Sequence, residues 1–120
     1  MTITELVKDL VLTVLSEALS GIQPKSRRMD VVKDIIRANN FQSISIAKGE
    51  EAKRLLRNYN GMNGRLRQDL IDLGFEITDE GKHYKITYFG DGRYQTTFAR
   101  TPSDGRSGKN NALVVVRMAF

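Results

Sequence analysis

The chain has a single histidine among its 120 residues. His83 follows Gly81 and Lys82 and opens a stretch that alternates like a β-strand. An imidazole titrates near neutral pH, so it can move the proton of an RNA 2′-hydroxyl. Lysine and arginine steady the charge that builds on a phosphate, best at a helix N-terminus. Both kinds of group fall in the last third of the sequence. Lys82, His83, Lys85 and Arg93 lie on or between strand-like stretches, and Arg106 and Lys109 flank Ser107-Gly108 ahead of the tail. Their joint chemistry is phosphate recognition, which His83 as a general acid–base would extend to cutting. On a solvated strand face and loop, the same residues would be ordinary surface.

Other chemistries are poorly supplied. There is no cysteine, which removes disulfides, thiolate zinc sites and cysteine nucleophiles and suits a cytoplasmic protein. One histidine and scattered carboxylates lack the spacing of metal ligands, so neither metal nor cofactor is expected. Gly90-Asp91-Gly92 is a turn signal rather than a phosphate cradle, because no helix follows it. Residues 1–22 are rich in apolar side chains, but Glu5, Lys8, Asp9 and Glu17 interrupt them. No run approaches the roughly 18 residues that span a bilayer, and no membrane partner is expected.

The net charge is +5, and its distribution says more than its total. Residues 81–120 carry Lys82, Lys85, Arg93, Arg100, Arg106, Lys109 and Arg117 against Asp91 and Asp104. The preceding stretch is acidic, with Asp69, Asp72, Glu76, Asp79 and Glu80. A patchwork of this kind suits a polyanionic partner, RNA or DNA.

The elements that must position these residues follow from periodicity. Thr4 can cap a first helix whose apolar positions 3, 7, 10, 14 and 18, flanked by 6, 11, 15, 19 and 22, form a wide stripe. So wide a stripe needs cover from the rest of the chain, or else from a protein partner or a second copy. Gly21 and Pro24 end it, and a second helix spans 27–38 with Met29, Val32, Ile35 and Ile36 inward. Residues 41–47 alternate as a short strand or extended connector. Residues 50–59 form a helix with Ala52, Leu55 and Leu56 inward and Lys53, Arg54 and Arg57 outward. Residues 65–73 form another, with Leu66, Leu70, Ile71 and Leu73 inward. Strands follow at 75–78, 82–89 and 93–99, with Tyr84, Ile86 and Tyr88 on one face of the second. Tyr94 on the third offers a surface on which a base could stack. The tail 108–120 is a helix that Ser107 can cap, with Ala112, Val115, Val116 and Ala119 against the sheet, although its Leu-Val-Val-Val run also fits a strand.

The predicted fold class is α+β. N-terminal helices over 1–62 precede an α-β-β-β-α unit over 63–120 that carries a three-stranded antiparallel sheet, the two parts forming one compact unit. The second stretch carries Leu73-Gly74-Phe75, Gly81-Lys82-His83, Gly90-Asp91-Gly92-Arg93 and Gly105-Arg106-Ser107-Gly108-Lys109 in that order. That order resembles the double-stranded RNA-binding domain and the HicA family of RNA-cutting toxins, which share a fold. The resemblance covers about half of the chain. It implies that His83 occupies the position of the toxin's catalytic histidine, with Lys82 standing where the toxins carry serine. It implies also that Arg106 and Lys109 match the lysines with which the RNA-binding domains hold phosphates.

A winged helix is an alternative arrangement. Residues 50–59 and 65–73 would be the helix pair, and 75–89 the wing. Arg65, Arg67 and Gln68 would then face a DNA major groove. Taken together, these features predict a non-catalytic nucleic-acid-binding protein that uses a basic loop and a sheet edge. The alternatives are an RNA-cutting toxin using His83, a winged-helix DNA binder, and a small protein-binding inhibitor or adaptor of the kind phages and mobile elements carry.

Overall fold

Thr2 and Glu5 set where the chain first becomes helical. In the computed structural model, which describes residues 2–102 and 106–120, the Thr2 hydroxyl accepts from Glu5 N and the Glu5 carboxylate accepts from Thr2 N. This reciprocal capping box starts helix α1, Ile3–Ala18, two residues ahead of the cap expected at Thr4. A 3₁₀ turn, Leu19–Gly21, ends it. Ser26 caps α2, Arg27–Ala38, through Met29 N.

The alternation over 41–47 does not make a strand. Helix α3 runs Ile44–Leu56 and takes up the second half of that stretch. Its buried positions are Ser45, Gly49, Ala52 and Leu56. That is a helical stripe, but Ser and Gly do not register as apolar, so the period is hidden. The helix also stops at Leu56, short of 59. Asn63 caps α4, Gly64–Asp72, through Leu66 N at 2.8 Å.

Strands β1 (Phe75–Asp79), β2 (His83–Tyr88) and β3 (Gln95–Ala99) form an antiparallel sheet in the order β1-β2-β3. Helix α5, Ser107–Ala119, follows, so the tail is helical rather than extended. Its N-cap position falls on Arg106, and Ser107 is the first helical residue. Ser103, Asp104 and Gly105, part of the expected loop, lie outside the described residues. The α+β class holds, with helices before and after a three-stranded antiparallel sheet.

The chain divides into two compact units, 1–47 and 48–120. The boundary falls inside α3 rather than at 62/63. The reason is packing: Ala52, Leu56 and Tyr59 share one core with Leu70, Leu73, Phe75, Tyr84, Ile86, Phe98, Ala112 and Val115.

In the first unit, α1 and α2 pack together. No residue of the expected α1 stripe is fully buried, and Ile3, Val7, Leu10, Val11 and Val14 are exposed, whereas Leu12, outside that stripe, is buried. Ile35 of α2 is exposed as well, against the expectation of an inward position. Asp9, 3 % exposed, reaches across to α3, where its Oδ2 accepts from Ser45 N at 2.7 Å. A buried carboxylate on α1 thus caps α3.

In the second unit, α3, α4 and α5 contribute side chains to the core on one face of the sheet. Ile71 of α4 is the exception among the residues expected inward, being 44 % exposed. The register pairs Phe75 with Tyr88, Ile77 with Ile86 and Tyr84 with Phe98 on the helix-covered face. The alternate residues, Glu76, Thr78, His83, Lys85, Gln95 and Thr97, line the open face. No helix is long and apolar enough to cross a membrane among the described residues.

Candidate nucleic-acid interface

The sheet has two ends, and the second unit uses them differently. At the β2–β3 end the ring of Phe120 meets Tyr88 at 5.3 Å and Phe75 at 5.9 Å. Helix α5 has 13 residues, about 20 Å at 1.5 Å per residue. Its N-terminus therefore reaches the opposite end, where β1 turns into β2. Two contacts fix it there. Gly108 sits against the carbonyl oxygens of Leu56 and Arg57, so close that a Cβ would collide with them. Tyr59, just beyond α3, donates its hydroxyl to Ala99 O at 2.6 Å, and burial raises its pKa. Its ring packs 5.4 Å from Phe98.

The β1–β2 turn is itself tightly held. Gly81 has φ +84°, a left-handed conformation that favours glycine. Gly81 N donates to Asp79 Oδ1 at 3.0 Å, and Glu80 N donates to His83 O at 2.9 Å. Arg100, the residue after β3, clamps the turn from the side. Its backbone N donates to Lys82 O at 3.0 Å and its Nε to Gly81 O at 2.5 Å. Its guanidinium is ion-paired with Asp79 and lies 4.8 Å from the Tyr84 ring. The Arg100 contact, followed by the Gly81 amide, holds the Asp79 carboxyl below its ordinary range.

This end gathers four of the six residues expected to hold phosphate. Lys82 and His83 sit in the turn and at the start of β2, both exposed, and Arg106 and Lys109 open α5. The other two stand apart from these four. Lys85 is on the open face of β2 and pairs with Glu80 at 3.4 Å. Arg93 is at the far β2–β3 end, paired with Asp91 at 2.7 Å, with its guanidinium 5.2 Å from the Tyr94 ring. That pairing pulls the Asp91 carboxyl down to about 2.

The residues of the winged-helix arrangement lie on α4. Gln68 donates to Asp72 at 2.8 Å within the helix. Arg67 turns back on the sheet, donating to Ile77 O at 3.4 Å and lying 6.0 Å from the Tyr84 ring. Arg65 is exposed in the first turn of α4. It borders a cleft of about 560 Å³ together with Arg54, Asn58, Asn60 and Asp69. Arg54 there is held by Glu51 at 2.5 Å.

Two cations of the β1–β2 end were not singled out as site residues from the sequence. Arg57, exposed in the residue after α3, reads in sequence only as part of an outward basic strip. Arg100 shows no sign of its role until the strand register brings it beside Lys82. Among the described residues, no group of three or more His, Asp or Glu could hold a metal.

The chain matches no protein-family model, and comparison with curated proteins and with solved structures gave no match.

Proposed function

We propose that this chain is a non-catalytic nucleic-acid-binding protein that grips phosphates with the β1–β2 end of its second unit. What supports this most is a chain of contacts: Gly108 rests on the Leu56 and Arg57 carbonyls, Tyr59 bonds Ala99 O, and Ala99 pairs with His83, so the first turn of α5, with Arg106 and Lys109, is tied to the side of the sheet that carries Lys82 and His83. The first turn of a helix is the positive end of its dipole. Basic side chains beside it add long-range attraction for a polyanion. Arg57, whose carbonyl meets Gly108, adds a further exposed cation. Arg93 plays no part, because it lies at the other end of the sheet.

The reading is non-catalytic on chemical grounds. General acid–base cleavage needs a second titratable group matched to His83. The two carboxylates of the adjoining turn are already committed, Asp79 to Arg100 and Glu80 to Lys85. A native gel of the purified chain with duplex RNA, duplex DNA and single strands of each tests the proposal. A shift of at least one of them at low salt is expected, and no shift of any would refute it.

A further inference from the structure

The first unit carries an apolar seam independent of the interface above. Ile3, Val7, Leu10 and Val14 recur along α1 at intervals of four, three and four residues. That is the d-a-d-a spacing of a two-heptad helix–helix seam. They are 66, 56, 37 and 56 % exposed, and Val11 beside them is 53 % exposed. The opposite face of the helix is already occupied, since Asp9, Leu12 and Thr13 are buried.

We propose that this seam is a self-association surface, on which α1 of a second copy packs antiparallel. A seam spaced to fit a helix is met best by one of the same spacing, and self-pairing makes the interface isologous. Charge sets the direction. Glu17 occupies the next d position after Val14. Parallel pairing would set Glu17 against Glu17, whereas antiparallel pairing sets the two glutamates at opposite ends of the seam. Five side chains make a small patch beside the about 800 Å² per partner of a standard interface, so the dimer is weak.

Analytical ultracentrifugation of the full chain from about 5 μM to 500 μM tests this. The mass should climb from 13.6 kDa towards twice that value. The variant Val7→Lys, Val14→Lys should stay monomeric throughout, with an unchanged far-ultraviolet circular dichroism spectrum because both sites are exposed. A wild-type mass of one chain at every concentration would overturn the proposal, as would a folded double variant that dimerises like the parent. The chain has no cysteine of its own, so direction can be read by cross-linking. Val7→Cys mixed with Leu10→Cys should form disulfide-linked heterodimers at least several-fold faster than Val7→Cys alone, and the reverse preference would overturn the antiparallel arrangement.

Discussion

Gly108 lies against the carbonyl oxygen of Leu56 with no room for a side chain between them. The first turn of α5 is thereby seated on the last turn of α3, and Arg106 and Lys109 are carried to the end of the sheet where Lys82 and His83 emerge. A backbone contact, made possible by a missing Cβ, assembles the proposed interface.

Replacing Gly108 with alanine should therefore cost about 1–3 kcal/mol of stability, the usual range for overpacking a filled site. Chemical denaturation measures it. Alanine has the higher helix propensity by about 1 kcal/mol, so a stabilised variant would mean that α5 does not rest on α3 as described.

The phosphate proposal predicts a selective charge response. With duplex DNA, Arg106→Ala combined with Lys109→Ala should weaken binding of all sequences alike. The slope of log affinity against log salt should become shallower by about 0.9 per lost contact. Arg93→Ala, at the other end of the sheet, should leave that slope alone. Equal effects of the two sets would mean that the basic residues act only through net charge.

His83 distinguishes a binder from an enzyme. His83→Ala should leave folding and nucleic-acid affinity within about two-fold, since an exposed imidazole contributes at most one contact. Neither the parent nor the variant should cleave RNA, and expression of neither should harm a bacterial host. His83-dependent cleavage would replace the binding proposal with the toxin alternative.

The Arg100 clamp predicts how the turn responds to acid. Asp79 is held below the ordinary aspartate value of 3.8, so the folded state binds its proton less readily than the unfolded state does. The clamp's contribution is complete above pH 3.8 and fades as pH falls through the lower folded-state value. By NMR, the Gly81 amide should titrate below 3.8, and the Arg93 amide, which donates to Asp91, at about 2. In Asp79→Asn the Gly81 transition should vanish. A Gly81 midpoint at or above 3.8 would contradict the clamp.

In the first unit, Asp9→Ala should lower stability by roughly 1–2 kcal/mol, because Ser45 N would lose its cap. Asp9→Asn, which keeps an acceptor oxygen, should lose less. Equal losses would assign the effect to packing rather than to the cap.

The sequence by itself determined the elements whose signals are local. Helix α2 begins and ends where Ser26 and Asn39 place it, and the three strands follow from alternation between Gly-containing turns. The α+β class and the order of elements over 63–120 were legible for the same reason. Tertiary structure decided what depends on distant partners. Residues 41–47 alternate like a strand, yet 44–47 are helical. Their inward stripe of Ser45, Gly49, Ala52 and Leu56 is defined by what packs on it, and a carboxylate 36 residues earlier caps its start. The basic residues were visible, but not which of them meet. Strand register puts Arg100 beside Lys82, and a strand's length separates Arg93 from both. The wide apolar stripe of α1 likewise gave no sign of which half is buried, because burial belongs to the neighbour a helix face meets and not to the face alone.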